Sequence, residues 1–146
     1  MSQRENAIGA LFAVLGELSL GTSGTTVKRN AALPERIADH AMAILRDGEM
    51  GEPEISLSPL TYHWQHQVAI ELFVADPDAA VRDARMDGLL VELATLIDMD
   101  RTLGGQIEYT EIGPPKFDEL GPDGTSGIKA CLLPVVLLYS STGPLN

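Results

Sequence analysis

The chain has 146 residues, 45% of them hydrophobic, and a formal net charge of −11 at pH 7. These values fit one domain, residues 1–146, with one core, and no apolar run approaches the roughly 20 residues of a bilayer-spanning helix, so no membrane partner is expected. The N-terminus shows no signal-peptide pattern, and the single cysteine, Cys131, excludes an internal disulfide and reads as a buried, inert thiol. Residues 1–48 hold five basic and five acidic side chains, residues 49–80 hold six acidic ones and no Lys or Arg, and the remainder adds a net −5. Tight nucleic-acid binding needs clustered Lys and Arg, so it is not expected; an acidic surface keeps the protein soluble and repels passing DNA.

Ser2 and Glu5 have the spacing of a capping box. Ile8, Leu11, Phe12, Leu15 and Leu18 follow at steps of three and four, predicting a helix with one apolar stripe that ends near Gly21. Ala7, Ala10 and Ala13 add small residues that permit close approach to a neighbour. Thr26 to Arg29 reads as a strand, and residues 33–37 as either an extended connector or one helical turn opened by Pro34. Ala41 to Arg46 suits a strand, Asp47-Gly48 is a hairpin-turn signal, and Ile55 and Leu57 alternate with polar residues as a half-buried returning strand.

The longest β pattern is Tyr62 to Ala75. Tyr62, Trp64, His66, Val68, Ile70, Leu72 and Val74 share one face, and His63, Gln65 and Gln67 belong to the other. His63 and His66 therefore project oppositely and cannot share an ion; with His40 in another segment and no Cys partner, no metal site is expected. Asp76-Pro77-Asp78 opens a helix, with Asp76 as cap and Pro77 at its first position, running to about Asp98. Its predicted inner row is Val81, Ala84, Gly88, Val91 and Thr95, flanked by Leu89, Leu93, Leu96 and Ile97. Asp83 and Asp87 sit one turn apart on a charged, solvated face with Arg82 and Arg85.

Gly104-Gly105 supplies the positive φ that ends the helix and releases a strand-like run from Gln106 to Ile112, with Ile107 and Tyr109 on one face. Residues 113–127 hold four glycines and three prolines and read as a long surface loop. Ile128 to Tyr139 is apolar on both faces, as in a strand covered on both sides, and Pro134 suggests an edge or bulge position open to a partner. The sum is an α+β fold: a mixed or antiparallel sheet of four to six strands on two main helices.

Chemical motifs are absent. Gly104-Gly105 follows a helix and precedes a strand, the reverse of a phosphate cradle, and no nucleophile elbow or Cys/His pair with an orienting carboxylate occurs. No enzyme activity, cofactor or catalytic residue is expected.

Several short runs carry a resemblance: Arg4-Glu-Asn-Ala-Ile8 before an apolar helix, Arg46-Asp-Gly48 before an acidic hairpin, Arg82-Asp83 in the long helix, Asp100-Arg-Thr-Leu-Gly-Gly105 closing it, and Val136-Leu-Leu-Tyr139 with Pro144-Leu145. With its helix-sheet-helix-sheet order, the chain resembles the tail terminator, or tail-completion, proteins of long-tailed phages and prophages. The resemblance implies a self-assembling ring, typically a hexamer. It further implies partners in the tail tube protein and the head-tail connector, DNA passing through without specific binding, and residence in the virion neck after assembly in the host cytoplasm. Leu133, Val135, Leu137 and Tyr139 of the last strand, with Pro114, Pro115 and Phe117 of the long loop, are the candidate interface. Asp100, Arg101, Gly104 and Gly105 are the candidate structural corner. A neck or head-completion protein shares this outline. A small enzyme acting near His63 and His66, and a monomeric binding module using the loop, are the readings from other classes.

Overall fold

The computed structural model describes residues 1–19, 25–32, 41–120 and 127–146. Expectations for Gly21, for residues 33–37, for His40 and for part of the long loop fall outside these residues. The element order is α1 (Gln3–Gly16), a single 3-10 turn (Glu17–Ser19), β1 (Thr26–Arg29), β2 (Ala41–Glu49), β3 (Glu54–Ser56), β4 (Thr61–Ala75), α2 (Ala79–Met99), β5 (Tyr109–Ile112), β6 (Lys116–Leu120) and β7 (Ile128–Ser141).

Ser2 caps α1, its hydroxyl accepting the Glu5 N–H at 3.1 Å. The other half of the capping box is not made, because the Glu5 carboxylate is engaged by Arg29. Ile8, Leu11, Leu15 and Leu18 are buried, Phe12 packs at the edge of the core, and Ala7 lets the helix backbone approach closely.

The cap of α2 is Asp78, not Asp76: Asp78 accepts from the Ala80 N–H at 2.9 Å, while Asp76 closes an Asx turn by accepting from the Asp78 N–H. The inward stripe is Met86, Leu89, Leu93 and Ile97, each burial contributing about 2 kcal/mol. The predicted small-residue row is corrected: Val91 is 59% exposed, and Ala84, Gly88 and Thr95 also face solvent. The bulkier flank turns toward the sheet because it removes more apolar area from water.

The strands form one mixed sheet in the order β1-β2-β4-β7-β5, with β3 beside β4 and β6 beside β7; β1 and β2 are parallel and the remaining pairs antiparallel. This is the expected α+β class, but with seven strands. Residues 116–120, predicted as loop, pair with β7 as β6.

Both helices cover one face of the sheet, where the buried residues of β4 and β7 meet them in a single core. On the opposite face Met42, Ile44 and Phe73 make a small second cluster with Ala31, Ile128 and Ala130. Elsewhere that face is open: His63, Gln65 and Gln67 are exposed, and Val136 and Leu138 are half-buried.

The structure corrects four further expectations. Asp47-Gly48 is not a hairpin turn but a β-bulge inside β2: Arg46 pairs with Ala69 and Glu49 with Gln67, one residue too many on β2. β3 is short and exposed rather than half-buried, with Ile55 at 56%, and Leu57, predicted to continue the strand, lies in the turn after it at 77%. In the 106–112 run Ile107 and Thr110 are buried while Tyr109 is 43% exposed, because the chain turns before β5 begins and the alternation is not continuous.

β7, finally, is no edge strand; it lies between β4 on one side and β5 and β6 on the other. Pro134 fits there because its carbonyl accepts from the Gly113 N–H at 2.8 Å. The nitrogen and carbonyl of a strand residue point the same way, so the missing N–H faces the connection between β5 and β6, where the ladder is already interrupted.

Candidate functional site

Polar side chains from five elements form a chain across the sheet. Arg29, at the end of β1, donates through Nη1 and Nη2 to the Glu5 carboxylate at 2.6 and 3.0 Å, and through Nε and Nη2 to the Asp47 carboxylate at 2.8 and 3.0 Å. The bulge at Gly48 presents the Asp47 carbonyl to His66 Nε2 at 2.6 Å, and His66 Nδ1 meets the Tyr139 hydroxyl at 2.7 Å. A carbonyl only accepts, so Nε2 carries the proton, and Nδ1 accepts from the Tyr139 O–H. The imidazole is neutral. Burial pushes its pKa down and that of the Tyr139 phenol up to about 12. Hydrogen bonds from Arg29 hold the Glu5 and Asp47 carboxyls below their usual range and raise the guanidinium pKa in return.

This network joins the Arg4–Ile8 run to the Arg46–Gly48 run, since Glu5 and Asp47 share Arg29. Sequence reading missed it, because the register that brings residues 5, 29, 47, 66 and 139 together leaves no periodic signal. Both carboxylate side chains are more than a third exposed, at 38% and 39%, so solvent screens the pairing. Arg29→Gln is therefore expected to cost only about 1–2 kcal/mol at pH 7 by urea denaturation. The carboxyls titrate below their ordinary values of 4.5 and 3.8, so the difference from the native protein shrinks as pH falls below 4.5.

The helix ends before the glycines: α2 stops at Met99 with Asp100 as an extended C-cap, so Gly104-Gly105 shape the turn that follows and do not end the helix. Asp100 Oδ1 accepts from the Thr102 N–H and hydroxyl at 2.9 and 2.6 Å, and Oδ2 from the Gly104 N–H at 2.9 Å. These bonds, the Thr102 hydroxyl foremost, keep the Asp100 carboxyl below its usual pKa. Leu103, Gly104 and Gly105 are all left-handed, with φ of +50°, +74° and +80°. Arg101 crosses to the Thr110 carbonyl at 2.7 Å, pairs with Asp98, and lies 5.4 Å from the centre of the Tyr109 ring. The corner fixes where β5 joins the sheet. Arg82, in the first turn of α2, donates back to the Asp76 carbonyl at 2.7 Å, and Asp83 pairs with Lys129 of β7 at 2.7 Å.

Where β2 leaves β4 and β3 takes over, a groove of about 660 Å³ opens, lined among others by Met50, Glu52, Glu54, Trp64, Gln65 and Tyr139. His63 lies on its wall, 2.9 Å through Nε2 from the Ser56 hydroxyl. This Ser/His pair is exposed and has no carboxylate bonded to the imidazole among the described residues, so nothing orients it as an acyl-transfer base. His66 points into the core, away from His63. The Cys131 thiol is buried, and burial raises its pKa, the opposite of an activated nucleophile.

The structure divides the candidate interface. Leu133, Val135, Leu137 and Tyr139 are 0–3% exposed and belong to the core under the helices, which removes them as contact residues. Pro114, Pro115 and Phe117 lie on the surface at the β6 edge, with Phe117 53% exposed. At the opposite end of β4 stands an apolar tip where the sequence predicted a half-buried strand: Ile55, Leu57 and Leu60 of the β3-β4 hairpin are 56%, 77% and 48% exposed. No protein-family model matches the chain, and no curated protein matches it. Among the described residues no helix is long and apolar enough to cross a membrane.

Proposed function

We propose that this chain is a structural subunit of the tail terminator type, forming a ring at the end of a phage or prophage tail tube. There it stops tube polymerisation and presents a surface to the head connector. The supporting observation is the distribution of exposed apolar surface. Both helices cover one sheet face, part of the other stays open, and an apolar hairpin projects past the end of the sheet. The conspicuous features are exposed apolar surfaces suited to association, and the buried His66 and Thr110 are hydrogen-bonded within the fold. The acidic surplus gives passing DNA nothing to adhere to.

Electron microscopy of particles produced without this gene tests the reading. Tails of uncontrolled length, or tails separated from heads, are the expected result; normal virions would sink it. Full-length, closed tails beside DNA-filled heads that fail to join them would favour the neat alternative of a neck or head-completion protein.

A further inference from the structure

We propose that the β3-β4 hairpin of one copy seats in the groove beside β6 of the next, so that copies associate head to tail. This assignment rests on the ring reading and names its subunit contact. The groove, of about 440 Å³, is lined by Phe73, Phe117, Ala130, Cys131 and Leu132, with Lys116 and Asp118 on its rim. Phe117 and Leu132 are 53% and 40% exposed, so apolar area on the receiving side matches apolar area on Ile55, Leu57 and Leu60.

The two patches occupy opposite ends of the molecule. Leu60 precedes β4 and Phe73 lies near its far end, a separation of about 43 Å at ~3.3 Å per strand residue. One copy cannot bring its own hairpin to its own groove. A contact between two different patches is heterologous, and a series of such contacts closes into a ring when the rotation allows.

Charge selects the same occupant. The hairpin carries Glu54, with Glu52 just before it, and no Lys or Arg, so most of this acidic protein repels it. The groove is locally neutral: Glu71 is held by Arg46 at 3.2 Å, and Lys116, in no ion pair among the described residues, offsets Asp118 and can meet Glu54 of the incoming hairpin.

The test uses two exposed single-cysteine variants, Leu57→Cys and Phe117→Cys, each in a Cys131→Ser background and checked for native circular dichroism. Mixed under mild oxidation, they are expected to give a disulfide between positions 57 and 117. Disulfides only between identical positions would overturn the proposal. Independently of the cysteine background, Glu54→Lys should weaken association by light scattering about tenfold, and adding Lys116→Glu should restore it. No restoration counts against the contact. Oligomers that form without the mixed disulfide overturn this interface and leave the ring reading standing. A chain that stays monomeric to about 1 mM also overturns it, and the gene-deletion phenotype then decides the ring reading alone.

Discussion

Gly48→Ala is expected to destabilise the protein by about 3–4 kcal/mol, lowering Tm by about 10 °C. Gly48 sits at φ +64° in the β2 bulge, and an added Cβ would lie 1.8 Å from the Gln67 carbonyl oxygen and 2.9 Å from its carbon. Both contacts are to backbone of the central strand, so relief requires β2 to move away from β4. That movement also withdraws the Asp47 carbonyl from His66 and the Asp47 carboxylate from Arg29. Gly51→Ala is the control: its φ is +71°, but nothing lies within 4 Å of the added atom, so only the left-handed strain of about 1 kcal/mol remains. Equal losses in the two variants, by thermal and urea denaturation, would show that the close approach at Gly48 is not the cause.

His66→Ala should cost about 3 kcal/mol at pH 7.5. The residue is 1% exposed, and truncation leaves a cavity in which the Asp47 carbonyl and the Tyr139 hydroxyl both lose their partner. The ring also sets the response to acid. Burial holds its folded pKa below the ordinary 6.5, so between those values the unfolded chain takes up a proton that the folded chain does not. Stability falls as pH drops below 6.5, and a second loss begins below 4.5 as Glu5 and Asp47 protonate. Of the groups packed around the ring, Tyr139 stays protonated throughout, while Arg4 lowers the imidazole pKa and Asp47 raises it. Urea midpoints between pH 7.5 and 5 should decline in the native protein and stay flatter in His66→Ala. Parallel profiles would refute the assignment.

The sequence disclosed what depends on near neighbours. The α1 stripe, the alternation of Tyr62 to Ala75 and the turn at Gly104-Gly105 are each written in consecutive residues, and the structure contains all three. What depends on pairing was hidden. Asp47-Gly48 has the composition of a hairpin turn, and only the register against Ala69 and Gln67 makes it a bulge. Pro134 marks an interrupted ladder, but nothing local tells a strand end from a gap between two partners on one side. The 116–120 run lacks β-branched residues and lies among glycines and prolines, so pairing with β7 overrides its propensity. Of the candidate site, the corner at Asp100 to Gly105 was legible and the Arg29 network was not, because its members come from five separate elements.

The long ladder between β4 and β7 has a consequence for how the protein is made. These strands pair over fourteen residues at the centre of the sheet, yet β4 ends at Ala75 and β7 begins at Ile128. During synthesis β4 emerges with one flank lacking its principal partner, and α2 is complete before the face it covers exists in full. Such non-local closure folds slowly and leaves apolar strand surface open until the last strand arrives. A nascent chain stalled before residue 128 should be captured by a chaperone, whereas one extended past Ser141 and clear of the ribosome should be released.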